Sequence, residues 1–295
     1  MANIIRFPPA VVNIRGLKRR KKRVWLPSQN PLRYNKIMSK TGYLDFHCHL
    51  DDPCFEKNRW HLIDQCFSLG FAKLVTVADP FNGQSIEKTA EMLAYHPDIH
   101  AVIGAHPHQA DSYSTEIEKS MVAFYQQFKI FAVGEVGLDY HYNFSKNDNQ
   151  VNVFKRQIAI ANEWSLPLVI HSRKAEETVL KILDKEKFPN PVVFHCYTGN
   201  KLDAAEILQR GYFISFSGII TFKNANELRE IVEITPLRQM FYETDSPYLA
   251  PEPDRGKSNT PLAAMHVVKK ISELKKTGID AINSKINKNF QRLRK

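Results

Sequence analysis

The stretch Asp45-Phe46-His47-Cys48-His49-Leu50-Asp51 constrains this chain more than any other. It ends an apolar run with two histidines one residue apart. On a β-strand successive side chains point to opposite faces, so positions i and i+2 share one. His47 and His49 can therefore reach a single metal ion while Cys48 points away. A buried, hydrogen-bonded histidine is the ordinary alternative for either ring. What tips the balance is the rest of the chain. Glu135, His171, His195 and Asp245 each stand at or just past the end of another short apolar, strand-like run.

From residue 41 onward, strand-like and helix-like stretches alternate. The pattern predicts strands over 43–47, 72–78, 100–105, 130–134, 167–170, 191–194, 212–216 and 240–243. Helices are predicted over 59–69, 85–95, 116–128, 149–164, 176–183, 202–209 and 225–232, with two more near 261–275 and 280–293. Eight strands alternating with helices over 41–295 fit an α/β fold, the (β/α)₈ TIM barrel, whose usual size is about 250 residues. An open doubly wound sheet is the competing architecture. No Gly-x-Gly-x-x-Gly follows the first strand, which leaves a dinucleotide fold little support. Active sites of the barrel form at the C-terminal ends of its strands. His47, His49, Glu135, His171, His195 and Asp245 would all gather there, as a cage for two metals. The glycines beside them, as in Gly134-Glu135-Val136-Gly137, permit tight turns and close backbone approach to a ligand, with ordinary geometry of the loops after the strands as the alternative.

The net charge of +10 looks like a nucleic-acid footprint until it is located. Residues 1–44 hold eleven of the 41 Lys and Arg and no acid, which leaves 30 basic against 31 acidic residues in the remainder. The body is close to neutral, and bulk charge says nothing about its substrate. Residues 1–40, with the run Lys18 to Arg23 and four prolines, are expected to be a basic N-terminal extension, disordered or not native. Met38 would then be a natural start for a barrel domain over 41–295. Cys48, Cys54, Cys66 and Cys196 form no Cys-x-x-Cys pair and read as reduced, mostly buried thiols of a cytoplasmic protein. No run is long enough to span a membrane, and no secretory pattern opens the chain.

The segments Asp45 to Asp51, Gly104-Ala105-His106-Pro107-His108, Gly134 to Tyr140, Val169-Ile170-His171-Ser172-Arg173, His195-Cys196-Tyr197-Thr198-Gly199, Glu243 to Leu249 and Arg255-Gly256-Lys257 occur in one order. Together they resemble the TatD-like metal-dependent deoxyribonucleases of the amidohydrolase superfamily, over 43 to about 293. The resemblance implies a TIM barrel with two divalent ions (Mg²⁺, Mn²⁺ or Zn²⁺) that hydrolyses DNA phosphodiesters as a 3′→5′ exonuclease on single-stranded ends. It implies that His47, His49 and Asp245 hold one ion and that His171 and His195 hold the other, with Glu135 bridging. One departure stands out: Ser258-Asn259-Thr260-Pro261 carries threonine where the family usually has an acid.

Two ions about 3.5–4 Å apart can stabilise both the attacking and the leaving oxygen. Glu135 and Asp245 would be the catalytic carboxylates, with Asp245 accepting the proton of the attacking water. Arg173, Arg255 and Lys257 are candidate phosphate contacts, with surface solubility as the alternative. His106 and His108 can bind phosphate, protonate the leaving group, or merely support a turn around Pro107. Tyr140, Tyr142, Tyr197 and Tyr248 can stack on bases or pack the loops. A metal-dependent ester or amide hydrolase, such as an aminoacyl-tRNA deacylase, and a silent metal-binding scaffold are the competing functions. Oligomeric state is not legible.

Overall fold

The strands are apolar on both faces, the pattern of a parallel sheet covered by helices, and the chain folds accordingly. The computed structural model of the chain describes residues 41–293. The basic extension over 1–40, with Met38, lies outside them. The elements are β1 (Tyr43–Cys48), α1 (Arg59–Ser68), β2 (Phe71–Ala78), α2 (Gly83–Tyr95), β3 (Ile99–Ile103), α3 (Thr115–Gln127), β4 (Ala132–Asp139) and α4 (Asn147–Glu163). They continue as β5 (Leu168–Arg173), α5 (Glu176–Glu186), β6 (Val192–Phe194), α6 (Lys201–Gln209), β7 (Phe213–Phe216), α7 (Asn226–Ile234), β8 (Met240–Tyr242), α8 (Ala264–Lys275) and α9 (Ile279–Arg292).

Each strand pairs in parallel with the next, in the order β1 to β8. A doubly wound sheet would reverse that order at a switch point, and no reversal occurs. The ends of the sheet meet instead. Thr244 donates its N–H (2.8 Å) and its hydroxyl (2.5 Å) to the Asp45 carboxylate, and the Asp245 N–H donates to the His47 carbonyl at 2.9 Å. The architecture is the (β/α)₈ barrel.

Two strands depart from simple alternation, and both carry site residues. Between Asp45 and Cys48, β1 spends three residues against two of β2, from Leu74 to Thr76. Between Val133 and Val136, β4 does the same against Leu168 to Ile170 of β5. Such bulges re-aim side chains. Phe46 stacks on Phe241 of β8 (4.2 Å between centroids) and meets Phe131 at the foot of β4 (6.1 Å), so its ring lies inside the barrel. His47, the next residue, also turns inward.

β4 and β5 run further than the sequence predicts, so Glu135 lies within its strand rather than just after it, and His171 lies two residues short of the end of its own. The glycine at 137 is a close-approach residue rather than a turn. It has φ +137°, and a Cβ there would meet the His171 carbonyl oxygen at 2.1 Å. At the opposite end, α9 is tied to the barrel by Asn289, which donates to the carbonyls of Leu237 (2.7 Å) and Met240 (3.0 Å).

Candidate metal centre

Glu135 sits at the middle of the site. Its Oε1 lies 2.7 Å from His171 Nδ1, 2.6 Å from His195 Nε2 and 3.3 Å from His106 Nε2. Its Oε2 faces the other way, 3.4 Å from His47 Nε2. Asp245 Oδ1 lies 3.3 Å from His49 Nε2 and 4.0 Å from His47 Nε2. Side chains from β1, β4, β5 and the segments after β6 and β8 therefore converge.

The convergence makes three groups with ligand atoms within 4.8 Å of one another: His47 with His49 and Asp245, His47 with Glu135 and His195, and His106 with His108 and His171. His47 tests whether a cation fits. It is fully buried, and neither ring nitrogen has a hydrogen-bond partner, since the 3.4 Å approach to Glu135 lacks hydrogen-bond alignment. A buried polar group left so is costly unless something satisfies it. Imidazole nitrogens mixed with carboxylate oxygens suit zinc, manganese or iron and admit magnesium. The residues fit a divalent cation.

The charges are poised for one. Burial opposes ionisation of Glu135, but the surrounding histidines, His195 first, hold its carboxyl well below the usual range. Burial opposes ionisation of Asp245 as well, yet its hydrogen bond and charge interaction with His49 hold it down to about 2. On His49, burial works against the proton and Asp245 outweighs it, raising the ring to about 9. His171 and His195 are also raised against burial, by Asp139 and Glu135 for the first and by Glu135 and Glu243 for the second.

Two carboxylates without an assigned role in the sequence reading complete the centre. Asp139 Oδ2 accepts from His171 Nε2 (3.0 Å) and lies 2.8 Å from His108 Nε2. Its Oδ1 accepts the N–H groups of His141 and Tyr142, both at 2.9 Å. Glu243 Oε1 accepts from the Cys196 N–H (2.6 Å) and lies 3.3 Å from His195 Nδ1; its Oε2 accepts from the Ser215 hydroxyl at 2.6 Å. Parity signals Asp139, which is four residues from Glu135 on β4; Glu243 lies past the end of β8, two residues before Asp245.

Of the remaining candidates, His106 has a determined tautomer. Its Nδ1 accepts the His108 N–H at 3.2 Å, and burial lowers its pKa to about 4, so the neutral ring carries its proton on Nε2, facing Glu135. Arg173 donates to the Thr198 hydroxyl and, at 3.4 Å, to the Cys196 carbonyl, close enough for its charge to act on Asp245 and Glu135. Arg255 lies over the Phe222 ring (4.3 Å), and Lys257 pairs with Asp254 at 2.7 Å. Their loop is closed by Asn259, not by residue 260. The Asn259 amide donates to the carbonyls of Thr244 (2.9 Å) and Tyr248 (2.7 Å). Tyr197 is buried and donates to the Asn200 carbonyl at 2.7 Å, so it offers no face to a base. The Cys48 thiol donates to the Val75 carbonyl and the Cys196 thiol to the Ser217 hydroxyl, both at 3.2 Å.

Comparison with known proteins agrees with this geometry. Residues 44–295 match the family model described as TatD related DNase. The chain is 36% identical over 251 residues to the uncharacterized metal-dependent hydrolase YabD of Bacillus subtilis, covering 84% of this chain and 97% of that one. It is 34% identical over 256 residues to the uncharacterized metal-dependent hydrolase YcfH of Escherichia coli K12, covering 85% and 94%. The crystal structure of YjjV, a TatD homolog from Escherichia coli, superposes with a TM-score of 0.79 at 25% identity over 85% of this chain and 97% of that one. The chain belongs to the TatD family. It is a metal-dependent hydrolase. Among the described residues no helix is long and apolar enough to cross a membrane.

Proposed function

We propose that the protein hydrolyses DNA phosphodiesters, working 3′→5′ from single-stranded ends, with two divalent cations. The observation that carries this reading is the division of Glu135. One oxygen faces His171 and His195 at 2.7 and 2.6 Å, and the other faces His47 at 3.4 Å. A carboxylate so divided suits a bridge, because its charge offsets the repulsion between two cations. His47, His49 and Asp245 would hold one ion, and His171 and His195 the other. The family's description as a DNase supplies the substrate class.

When bound, the pair of cations supplies charge stabilisation for the attacking and leaving oxygens of an in-line displacement. The protein's own groups do the rest. Asp245, ionised at neutral pH, takes the proton of the attacking water. His106 donates Nε2–H to a phosphate oxygen, and Arg173 contributes a fixed positive charge beside it. Arg255 and Lys257 serve phosphates further along the strand.

Full-length protein incubated with 5′- or 3′-end-labelled DNA, single- or double-stranded, in Mg²⁺, Mn²⁺ or Zn²⁺ tests this. The expected result is a ladder shortening from the 3′ end, with Glu135→Ala folded, low in metal and inactive. Full metal content and wild-type turnover in Glu135→Ala would remove the bridge. Intact DNA in every metal, with cleavage of an aminoacyl-tRNA ester instead, would move the reading to ester hydrolysis.

A further inference from the structure

Six large hydrophobic side chains are exposed among the described residues: Tyr95, Tyr142, Phe144, Leu202, Ile234 and Tyr248. Three of the four aromatic ones touch histidines of the metal centre. Tyr248 lies edge-on to His49 (5.8 Å between centroids), and Tyr142 and Phe144 lie edge-on to His108 at 5.8 and 4.8 Å. Exposed aromatic rings so concentrated around one site need an explanation that scattered ones do not.

Tyr142 and Phe144 are the more telling pair. Their rings are parallel within 4°, with centroids 5.7 Å apart, and they are 57% and 67% exposed. The segment that carries them, between β4 and α4, is pinned at both ends. Asp139 accepts the backbone N–H of His141 and Tyr142, and the Ser145 hydroxyl donates to the His108 carbonyl at 2.8 Å while accepting the Asp111 N–H at 3.1 Å. The rings are held in place by backbone contacts, not by burial. The same Asp139 bonds His171 and His108, so two residues, Asp139 and His171, link the platform to Glu135.

We infer that Tyr142 and Phe144 form a subsite for one unpaired nucleobase, adjoining the scissile phosphate on the His171 side. This rests on the phosphodiesterase reading above and adds the part of the substrate that the metal centre does not touch. A base in a single strand offers a flat π-face, and stacking on an aromatic ring accepts any base. Inside a duplex those faces are covered by neighbouring pairs. The platform thus favours single strands and is indifferent to sequence.

The test uses the full chain with Mn²⁺ and three substrates: a single-stranded oligonucleotide, the same strand in a blunt duplex, and the strand with abasic sites flanking the terminal phosphodiester. In the double variant Tyr142→Ala/Phe144→Ala, KM for the single strand should rise about five- to 150-fold with little change in kcat, the range expected for loss of one stacked base. The preference for single strand over duplex should shrink by a similar factor. On the abasic strand, variant and wild type should agree within about twofold, because there is no base to lose. Phe144→Trp should keep the wild-type KM. Unchanged KM on the single strand, or an equal rise on the abasic strand, would overturn the subsite while leaving the phosphodiesterase standing. Wild-type protein that cleaves none of the three would overturn the phosphodiesterase reading, and the subsite with it.

Discussion

Asp139 holds His171 from behind: its Oδ2 lies 3.0 Å from Nε2, while Nδ1 on the other edge of the ring lies 2.7 Å from Glu135 Oε1. Glu243 stands in the same relation to His195, with Nδ1 at 3.3 Å and the opposite Nε2 at 2.6 Å from Glu135. A carboxylate behind an imidazole fixes which nitrogen keeps a proton and strengthens the other as a ligand. Both histidines assigned to the second cation have such support. His47 has none, because its Nδ1 lacks a hydrogen-bond partner.

That asymmetry predicts which ion is lost first. Asp139→Asn and Glu243→Gln keep the shape behind each ring but remove the charge. Each should weaken one cation by about 10–100-fold and leave the other near its wild-type affinity. Metal counting at limiting Mn²⁺ should fall from two ions per chain towards one. Two ions bound as tightly as in wild type would show that these carboxylates serve folding alone.

Asp245→Asn separates ligation from proton transfer. The amide keeps an oxygen for a cation but is a poor proton acceptor. Turnover should fall by about 10²–10⁴-fold, with KM for DNA changing far less. Equal turnover at saturating DNA would assign the proton to another group.

The histidine pKa values set a pH dependence with opposite signs in the two states. In the metal-free chain His49 is raised to about 9, and His171 and His195 are raised too. A cation must displace those protons, so affinity should climb with pH from neutral through the His49 value of about 9. The metal-free chain behaves in the opposite way. A histidine whose folded pKa exceeds its unfolded value of about 6.5 stabilises fully below that value and loses the contribution as pH rises through the folded one. Tm of the metal-free protein should fall between about pH 6.5 and 9 while Mn²⁺ affinity increases. Calorimetry in buffers of different ionisation enthalpy would read the released protons directly, and no release at pH 7 would contradict the raised values.

Much of this cluster was legible because the convergence of its side chains follows strand order. His47, His49, Glu135, His171, His195 and Asp245 could be named from where apolar runs end. The two supporting carboxylates were harder to see. Asp139 and Glu243 touch the centre through other residues; shared parity with Glu135 on β4 marks Asp139 beforehand, and nothing but nearness to Asp245 marks Glu243. The inward turn of both Phe46 and His47 breaks simple alternation, and a bulge of one residue has no signature in an apolar run. At Gly137 the close approach is to the His171 carbonyl of the next strand rather than to a ligand. A glycine needed for close packing looks, in sequence, like one needed for a turn.

Gly137 supplies the final prediction. A Cβ at this position would lie 2.1 Å from the His171 carbonyl oxygen, and backbone cannot swing aside as a flexible side chain can. Gly211 makes a matched control: its φ is also positive, at +79°, but no atom lies within 4 Å of a Cβ built there. Gly211→Ala should therefore cost only the conformational penalty, about 1–2 kcal/mol. Gly137→Ala should cost that plus about 1–3 kcal/mol for forcing β4 and β5 apart. The strain falls at His171, so Gly137→Ala should also weaken one cation while Gly211→Ala leaves metal content unchanged. Chemical denaturation together with metal counting would check both. Equal stability losses in the two variants, with metal retained, would mean that β4 and β5 can separate without moving His171.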